Sequence, residues 1–178
     1  MKRITIIGSS GSGKSTLAFA LAEKLGLPTI HIDQEFWQPD WTEPEDKAAF
    51  LAHMHAIMDS DEWIIEGNYT TNADLPKRLE RSDLLIFMDP PRLLCMWGIL
   101  TRILKTYGRV RKDMAPGCPE RLDWEFIKYV WNFPKTQRPK LKAFYDGHEG
   151  HKVRLTGRSS VKSFLISIRN GSQPQGPD

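Results

Sequence analysis

Four residue types at one fixed spacing carry the first chemistry in this chain. Gly8, Gly13, Lys14 and Ser15 stand as G-x-x-x-x-G-K-S within "GSSGSGKST", directly after the apolar run Ile4-Thr5-Ile6-Ile7. This is the P-loop pattern. Its glycines let main-chain N–H groups converge on an anion without Cβ obstruction, and the helix that follows adds partial positive charge. The segment Gly8, Ser9, Ser10, Gly11, Ser12, Gly13 is therefore expected to cradle the phosphates of ATP. Lys14 would reach the β and γ phosphates, Ser15 would ligate Mg²⁺, and Thr16 would begin the helix beside the α phosphate. A flexible Gly/Ser linker does not fit, because linkers do not sit between a buried strand and a helix. A P-loop identifies a triphosphate site and not the fate of the phosphate, so a kinase, a hydrolysing switch and an ATP-binding regulator all remain open.

The elements that must position these residues follow from periodicity. Ile4 to Ile7 is a short β-branched run of the kind that forms a buried parallel strand. From Lys14 to Leu25 apolar residues recur at helical spacing, and Gly26 with Pro28 marks the stop. Thr29 to Ile32 reads as a second strand ending at Asp33, and Trp63 to Ile65 as a third ending at Glu66-Gly67. Between them Thr42 and Glu45 form a capping box for a helix carrying Phe50, Leu51, Met54, Ile57 and Met58. Leu84 to Met88 is the fourth strand, ending at Asp89. Pro90-Pro91 then opens a helix carrying Leu93, Leu94, Trp97, Leu100, Ile103 and Leu104. Two helical stretches near Asp123 to Phe133 and Gln137 to Tyr145 precede a fifth strand, Val153 to Leu155. Ser159 or Ser160 caps a last helix, which Asn170-Gly171 ends.

Strands alternating with helices predict an α/β fold with a mostly parallel sheet covered on both faces. Ligands in such sheets bind beyond the carboxyl ends of the strands. The P-loop, Asp33, Glu66 to Tyr69, Asp89 and Thr156 to Arg158 thus become the candidate positions. Phe36, Trp37 and Trp41, with Asn68 and Tyr69, either wall an acceptor pocket or pack the mouth of the sheet. The five histidines show no zinc spacing; His53 and His55, two apart on a helix, point in different directions.

The length of 178 residues fits one domain, expected over 1–170, with a polar Gly/Pro-rich disordered tail at 171–178. Residues 107–135, which begin with a Gly-, Pro- and Arg-rich stretch, read as a lid insertion over the body. No apolar run approaches a membrane span. The apolar stretch after Met1-Lys2-Arg3 breaks at Gly8, too short for a signal-peptide core, and the two cysteines form no framework, so a cytoplasmic setting is expected. Net charge is +3, yet residues 102–142 hold eleven Lys or Arg against four acids, +7, leaving −4 for the rest. Such a segment points to an anionic partner, a phosphate-bearing small molecule or nucleic acid, or forms a solvated basic surface. No helix-turn-helix, zinc finger or RNA-binding signature supports nucleic acid. Oligomeric state is left open.

Taken together, the P-loop near residue 8, the strand ending in Asp33, "WIIEGNY" and "MAPGCPERLDWEFIKYVWNFP" resemble the adenylate-kinase-like P-loop kinases. The chain is most similar to the group known as DNA topology modulation proteins, over residues 1 to about 168. The resemblance implies a three-layer α/β/α fold with a five-stranded parallel sheet in the order 2-3-1-4-5, a mobile lid, and a Mg²⁺- and ATP-dependent phosphotransferase activity on a nucleotide-like or hydroxylated acceptor. An ATP-binding DNA-associated regulator is the alternative. By the same resemblance Glu66 holds Mg²⁺ through water, and Asp33 serves the acceptor hydroxyl or a metal-bound water, unless it only caps a turn. Nucleoside monophosphate kinases carry Asp-Gly-Phe-Pro-Arg where this chain has Glu66-Gly67-Asn68-Tyr69. The missing arginine argues against a nucleoside monophosphate acceptor. Lid arginines in these kinases clamp the transferred phosphoryl group. The candidates are Arg121, Arg138, Arg109 and Arg102, in that order, while Gly157 would let adenine lie against the backbone.

Overall fold

A buried strand cannot expose its N–H and C=O groups, so each apolar run must find neighbours in a sheet. The computed structural model, which describes residues 1–169, pairs them in parallel in the order β2-β3-β1-β4-β5. The strands are β1 (Arg3–Gly8), β2 (Thr29–His31), β3 (Trp63–Glu66), β4 (Leu84–Met88) and β5 (His151–Leu155). Register aligns Ile6 with Glu66, His31 with Glu66, and Gly8 with Met88. The ends of four strands therefore form one edge, which holds the P-loop. The predicted tail and the Asn170-Gly171 stop lie outside the described residues.

Helices cover both faces. α1 (Lys14–Leu25) and α8 (Arg158–Arg169) bury Leu17, Leu21 and Phe164 against Ile4, Ile6, Ile86 and Val153. Each such side chain, fully buried, contributes roughly 1.5–3 kcal/mol. On the opposite face α3 (Lys47–Asp59) brings Phe50, Met54 and Met58 against Trp63 and Ile65. Beside it, α6 (Trp124–Thr136) and α7 (Arg138–Gly147) place Phe133 and Leu141 in one cluster with Ile7, Leu85 and Phe87.

Several expectations change locally. β2 stops at His31, and Ile32 to Phe36 turns into a short helix, α2, with Asp33 in its first turn. α3 is capped by Asp46, whose side chain accepts from the Ala49 N–H at 2.8 Å, and not by a Thr42–Glu45 box; the Thr42 hydroxyl donates instead to the Pro39 carbonyl. A helix the periodicity reading left out, α4 (Leu75–Arg81), follows Asp74 as N-cap and Pro76 in its first turn. Ser160 does not precede α8 but sits in its first turn and reaches back to the N–H groups of Thr156 and Gly157. In α5 (Arg92–Thr106) the buried residues are Cys95, Ile99 and Ile103, so of the expected apolar set only Ile103 faces the core. Among the described residues no helix is long and apolar enough to cross a membrane.

Candidate active site

The P-loop leaves β1 through Gly8, whose φ of +143° and whose position leave no room for a side chain: a Cβ there would lie 2.1 Å from the Met88 carbonyl oxygen. Asn68 fixes the same residue from the other side. Its Oδ1 accepts from the Gly8 N–H at 2.9 Å and its Nδ2 donates to the Gly8 carbonyl at 3.0 Å, a two-point clamp between the β3 and β1 ends. Behind the loop, Gly98 of α5 lies so close that a Cβ would sit 2.3 Å from the Gly11 oxygen. The nest is thus rigidly backed, with Gly13 as the left-handed cap of α1.

Three predicted residues converge at its floor. Lys14 Nζ donates to the Ser9 carbonyl at 3.2 Å and lies 3.5 Å from Glu66 Oε1, while the Ser15 hydroxyl donates to Glu66 Oε2 at 3.1 Å. Burial alone would push the Glu66 carboxyl up, but Lys14, His31 and Ser15 outweigh it and hold it down at about 2. Hard oxygen donors of this kind, one hydroxyl and one ionised carboxylate, suit Mg²⁺, which keeps most of its shell for water and phosphate. Among the described residues no group of three His, Cys, Asp or Glu is arranged to hold a metal by itself. Ser9 is buried, Ser10 borders the cavity, and Ser12 keeps a buried hydroxyl without a partner; Thr16 is exposed on the first turn of α1.

Above this floor opens a cavity of about 520 Å³. Asp33 borders it, its Oδ1 accepting the Tyr69 hydroxyl at 2.7 Å. Desolvation, and then the nearby Glu66 charge, push the Asp33 carboxyl up. Two neighbouring carboxylates are thereby driven apart, one firmly ionised and one made more basic. Trp37, Trp41, Tyr69 and Tyr129 contribute aromatic wall, whereas Phe36 is in the core.

The arginines separate into two groups. Arg121 and Arg102 border the cavity, Arg121 exposed beside Asp123 with its guanidinium 5.6 Å from the Trp41 ring centre. Arg138 is outside it: the guanidinium forms a fork to Asp89 at 2.7 and 2.9 Å, and Arg154 binds the same carboxylate. Asp89, at the end of the fourth strand, is thus the anchor of two arginines. Arg109 is exposed at the start of the Tyr107–Glu120 bridge and does not border the cavity either. Gly157 stands at the opposite end of the edge, with open space where a Cβ would be. Much of the basic segment is internally paired: Arg102 and Arg111 with Glu120, Arg111 with Asp113, Arg138 with Asp89, and Lys142 with Asp146.

Three participants had escaped the pattern reading. His31 is buried with Nδ1 3.0 Å from Glu66 Oε2, fixing the carboxylate from the β2 side; its signal was only its place in a strand two residues before Asp33. Arg111 borders the cavity and lies two residues beyond Arg109, on the face that turns inward, which nothing in the local sequence marks. Arg78 is fully buried and donates to the carbonyls of Gly67 and Asn68 at 2.8 and 3.0 Å, holding the loop that carries Glu66 and Asn68. Burial lowers its pKa to about 9. Its signal was legible: Leu75, Arg78 and Leu79 share one helix face, so an arginine occupied an apolar position.

The architecture is a three-layer α/β/α fold: five parallel strands in the order 2-3-1-4-5, helices on both sides, and the glycine-rich loop of the P-loop pattern between β1 and α1. Among solved structures, a shikimate kinase from Acinetobacter baumannii in complex with shikimate superposes with a TM-score of 0.62 at 15% identity, covering 94% of this chain and 90% of that one. At that identity the likeness is one of fold. No protein-family model matches the sequence, and no curated protein does.

Proposed function

We propose that the protein is a Mg²⁺- and ATP-dependent small-molecule kinase that moves the γ-phosphoryl group to an acceptor hydroxyl in the cavity above the P-loop. One observation carries this reading. Lys14, Ser15 and Glu66 meet at the floor of a 520 Å³ cavity, while a second carboxyl, Asp33, faces the same space with its basicity raised. A hydrolysing switch needs room for one water only, whereas this cavity is roomy enough for a metabolite, with an aromatic wall to hold it.

The chemistry that Mg²⁺ would supply when bound is neutralisation of phosphate charge. Ser15 and Glu66 would hold the ion, Glu66 through water. Residues 8–16 bind the triphosphate through main-chain N–H groups, and Lys14 stabilises the charge that develops on the transferred group. Asp33 orients the acceptor hydroxyl and accepts its proton, a role to which an upward-shifted carboxyl is suited. Arg121, with Arg102 and Arg111 beside it, covers the cavity mouth. Arg109 joins the site only if the loop that carries it closes over the cavity, while Arg138 stays outside it, forked onto Asp89. The chain's resemblance to DNA topology modulation proteins rests on its sequence motifs, and Arg102, Arg111, Arg138 and Lys142 of the basic segment have acidic partners within the fold.

ATP consumption measured against a panel of hydroxylated metabolites and nucleotides, in parallel with the Lys14→Ala protein, tests the reading. Acceptor-dependent ADP formation that falls by at least about 100-fold in Lys14→Ala, with an unchanged circular dichroism spectrum, is expected. Phosphate release at the same rate with and without every acceptor would instead identify a hydrolase.

A further inference from the structure

The outer face of α5 carries large apolar side chains with nothing over them. Leu104 is 82% exposed, Leu93 71% and Trp97 60%, with Leu100 and Leu94 also open to solvent. The core needs none of them, since Cys95, Ile99 and Ile103 supply the buried side. Their spacing is specific. Leu93, Trp97, Leu100 and Leu104 follow steps of four, three and four, the 3.5-residue repeat of a seam made for another helix, and Tyr107 stands just past its end.

We infer that this seam pairs with the same helix of a second copy, across a two-fold axis, to make a homodimer. Three features favour a second copy over other occupants. The stripe is symmetric about the middle of the helix, so an antiparallel match sets Leu93 opposite the partner's Leu104 and Trp97 opposite the partner's Leu100, as an isologous interface requires. On the solvent side the positions flanking the seam, Leu94 and Thr101, carry no charge, so like charges do not meet across the axis. With Tyr107, the exposed residues hold on the order of 800 Å² of surface, about what each partner gives to a standard interface and more than monomers usually leave open. A bilayer would call for a broad apolar face ringed by cations, not a narrow seam with neutral flanks.

The pairing would also reach the phosphate site. The other side of α5 presses Gly98 onto Gly11, so fixing the helix in a dimer fixes the backing of the P-loop.

Sedimentation of the full chain over a concentration series tests the inference. The wild type should run at about twice the 20.4 kDa chain mass at tens of micromolar. Leu100→Glu and Leu104→Glu should raise the dimer dissociation constant by at least about 100-fold, the effect expected of central interface residues, with an unchanged circular dichroism spectrum. Lys105→Glu, off the seam, should leave it unchanged. A wild type that stays monomeric, or a dimer that survives both Glu variants, overturns the inference, as does a monomer that binds anionic vesicles through this face. Orientation has its own test that does not depend on a charged variant folding. Positions 93 and 104 lie roughly 16 Å apart along one helix, so a Leu93→Cys/Leu104→Cys protein can form its diamide-induced disulfides at these positions only between chains. Covalent dimer from the double variant, and none from Leu93→Cys alone, is expected; the reverse pattern rejects the antiparallel seam.

Discussion

At the residue scale, the site is a problem of two carboxylates that share a small space. Glu66 is met by Lys14, His31 and Ser15 and stays ionised down to about pH 2. Asp33 is desolvated by burial and lies in the field of Glu66, so its ionised form is disfavoured although the Tyr69 hydroxyl donates to it. A group whose folded pKa is raised stabilises the fold while protonated and loses that contribution as pH rises through the shifted window. Asp33→Asn keeps an oxygen for Tyr69 and removes the charge. The variant should therefore melt with the wild type below about pH 3.8, the ordinary value of the group, and progressively above it as pH rises. By neutral pH the variant should melt above the wild type. Phosphoryl transfer should be lost at the same time. A variant less stable than the wild type at pH 7 would show that Asp33 holds the structure together and does not strain it for chemistry.

At the element scale, α5 is held on two sides, and glycine decides how closely it sits. Alanine is the better helix former by about 1 kcal/mol in a helix interior, so Gly98→Ala would ordinarily stabilise. Here its Cβ would fall 2.3 Å from the Gly11 oxygen, backbone that cannot swing aside. The variant should bind a non-hydrolysable ATP analogue at least tenfold more weakly in calorimetry, with Mg²⁺ present, because the loop must shift to admit the methyl group. Unchanged affinity would mean that the contact is slack. The same helix shows where sequence was and was not enough. Gly8 to Ser15, Asp33 and Glu66 were legible because each ends or closely follows a strand, Asp33 by two residues, and strand order plus a P-loop dictates which edge they share. The direction α5 faces was not, because its stripe at positions 93, 97, 100 and 104 and its stripe at 95, 99 and 103 are both apolar; only contacts far away in sequence choose between them. Arg138 was misplaced for a related reason. Its helix is continuous with the lid segment in sequence, but Asp89 and Arg154, from β4 and β5, draw its side chain to the sheet.

At the scale of the whole molecule, the question is how much of residues 107–147 moves. α6 and α7 share a core with β1 and β4 through Phe133 and Leu141, and they cannot leave without exposing Ile7, Leu85 and Phe87. Residues 107–123 give no side chain to that shared core and are held by polar contacts, the buried Glu120 pairing with Arg102 and Arg111. A small cluster of Met114, Ala115 and Cys118 packs on Trp37 and Trp41, and the Tyr107–Glu120 bridge closes the loop base. Arg109 and Lys112 project from it into solvent. Closure over the cavity then requires moving only this loop, which carries Arg111 and Arg121, while the helices beyond stay fixed. Limited trypsin digestion separates the two cases. Cleavage should come first after Arg109 or Lys112, the two fragments should stay associated and melt in one transition, and a Mg²⁺-bound ATP analogue should slow the cut several-fold. Early cleavage within α6, or release of a folded fragment lacking α6 and α7, would place the hinge after Thr136 and make the two helices part of the moving body, because their shared core with the sheet would then be weaker than the loop's hold on Trp37 and Trp41.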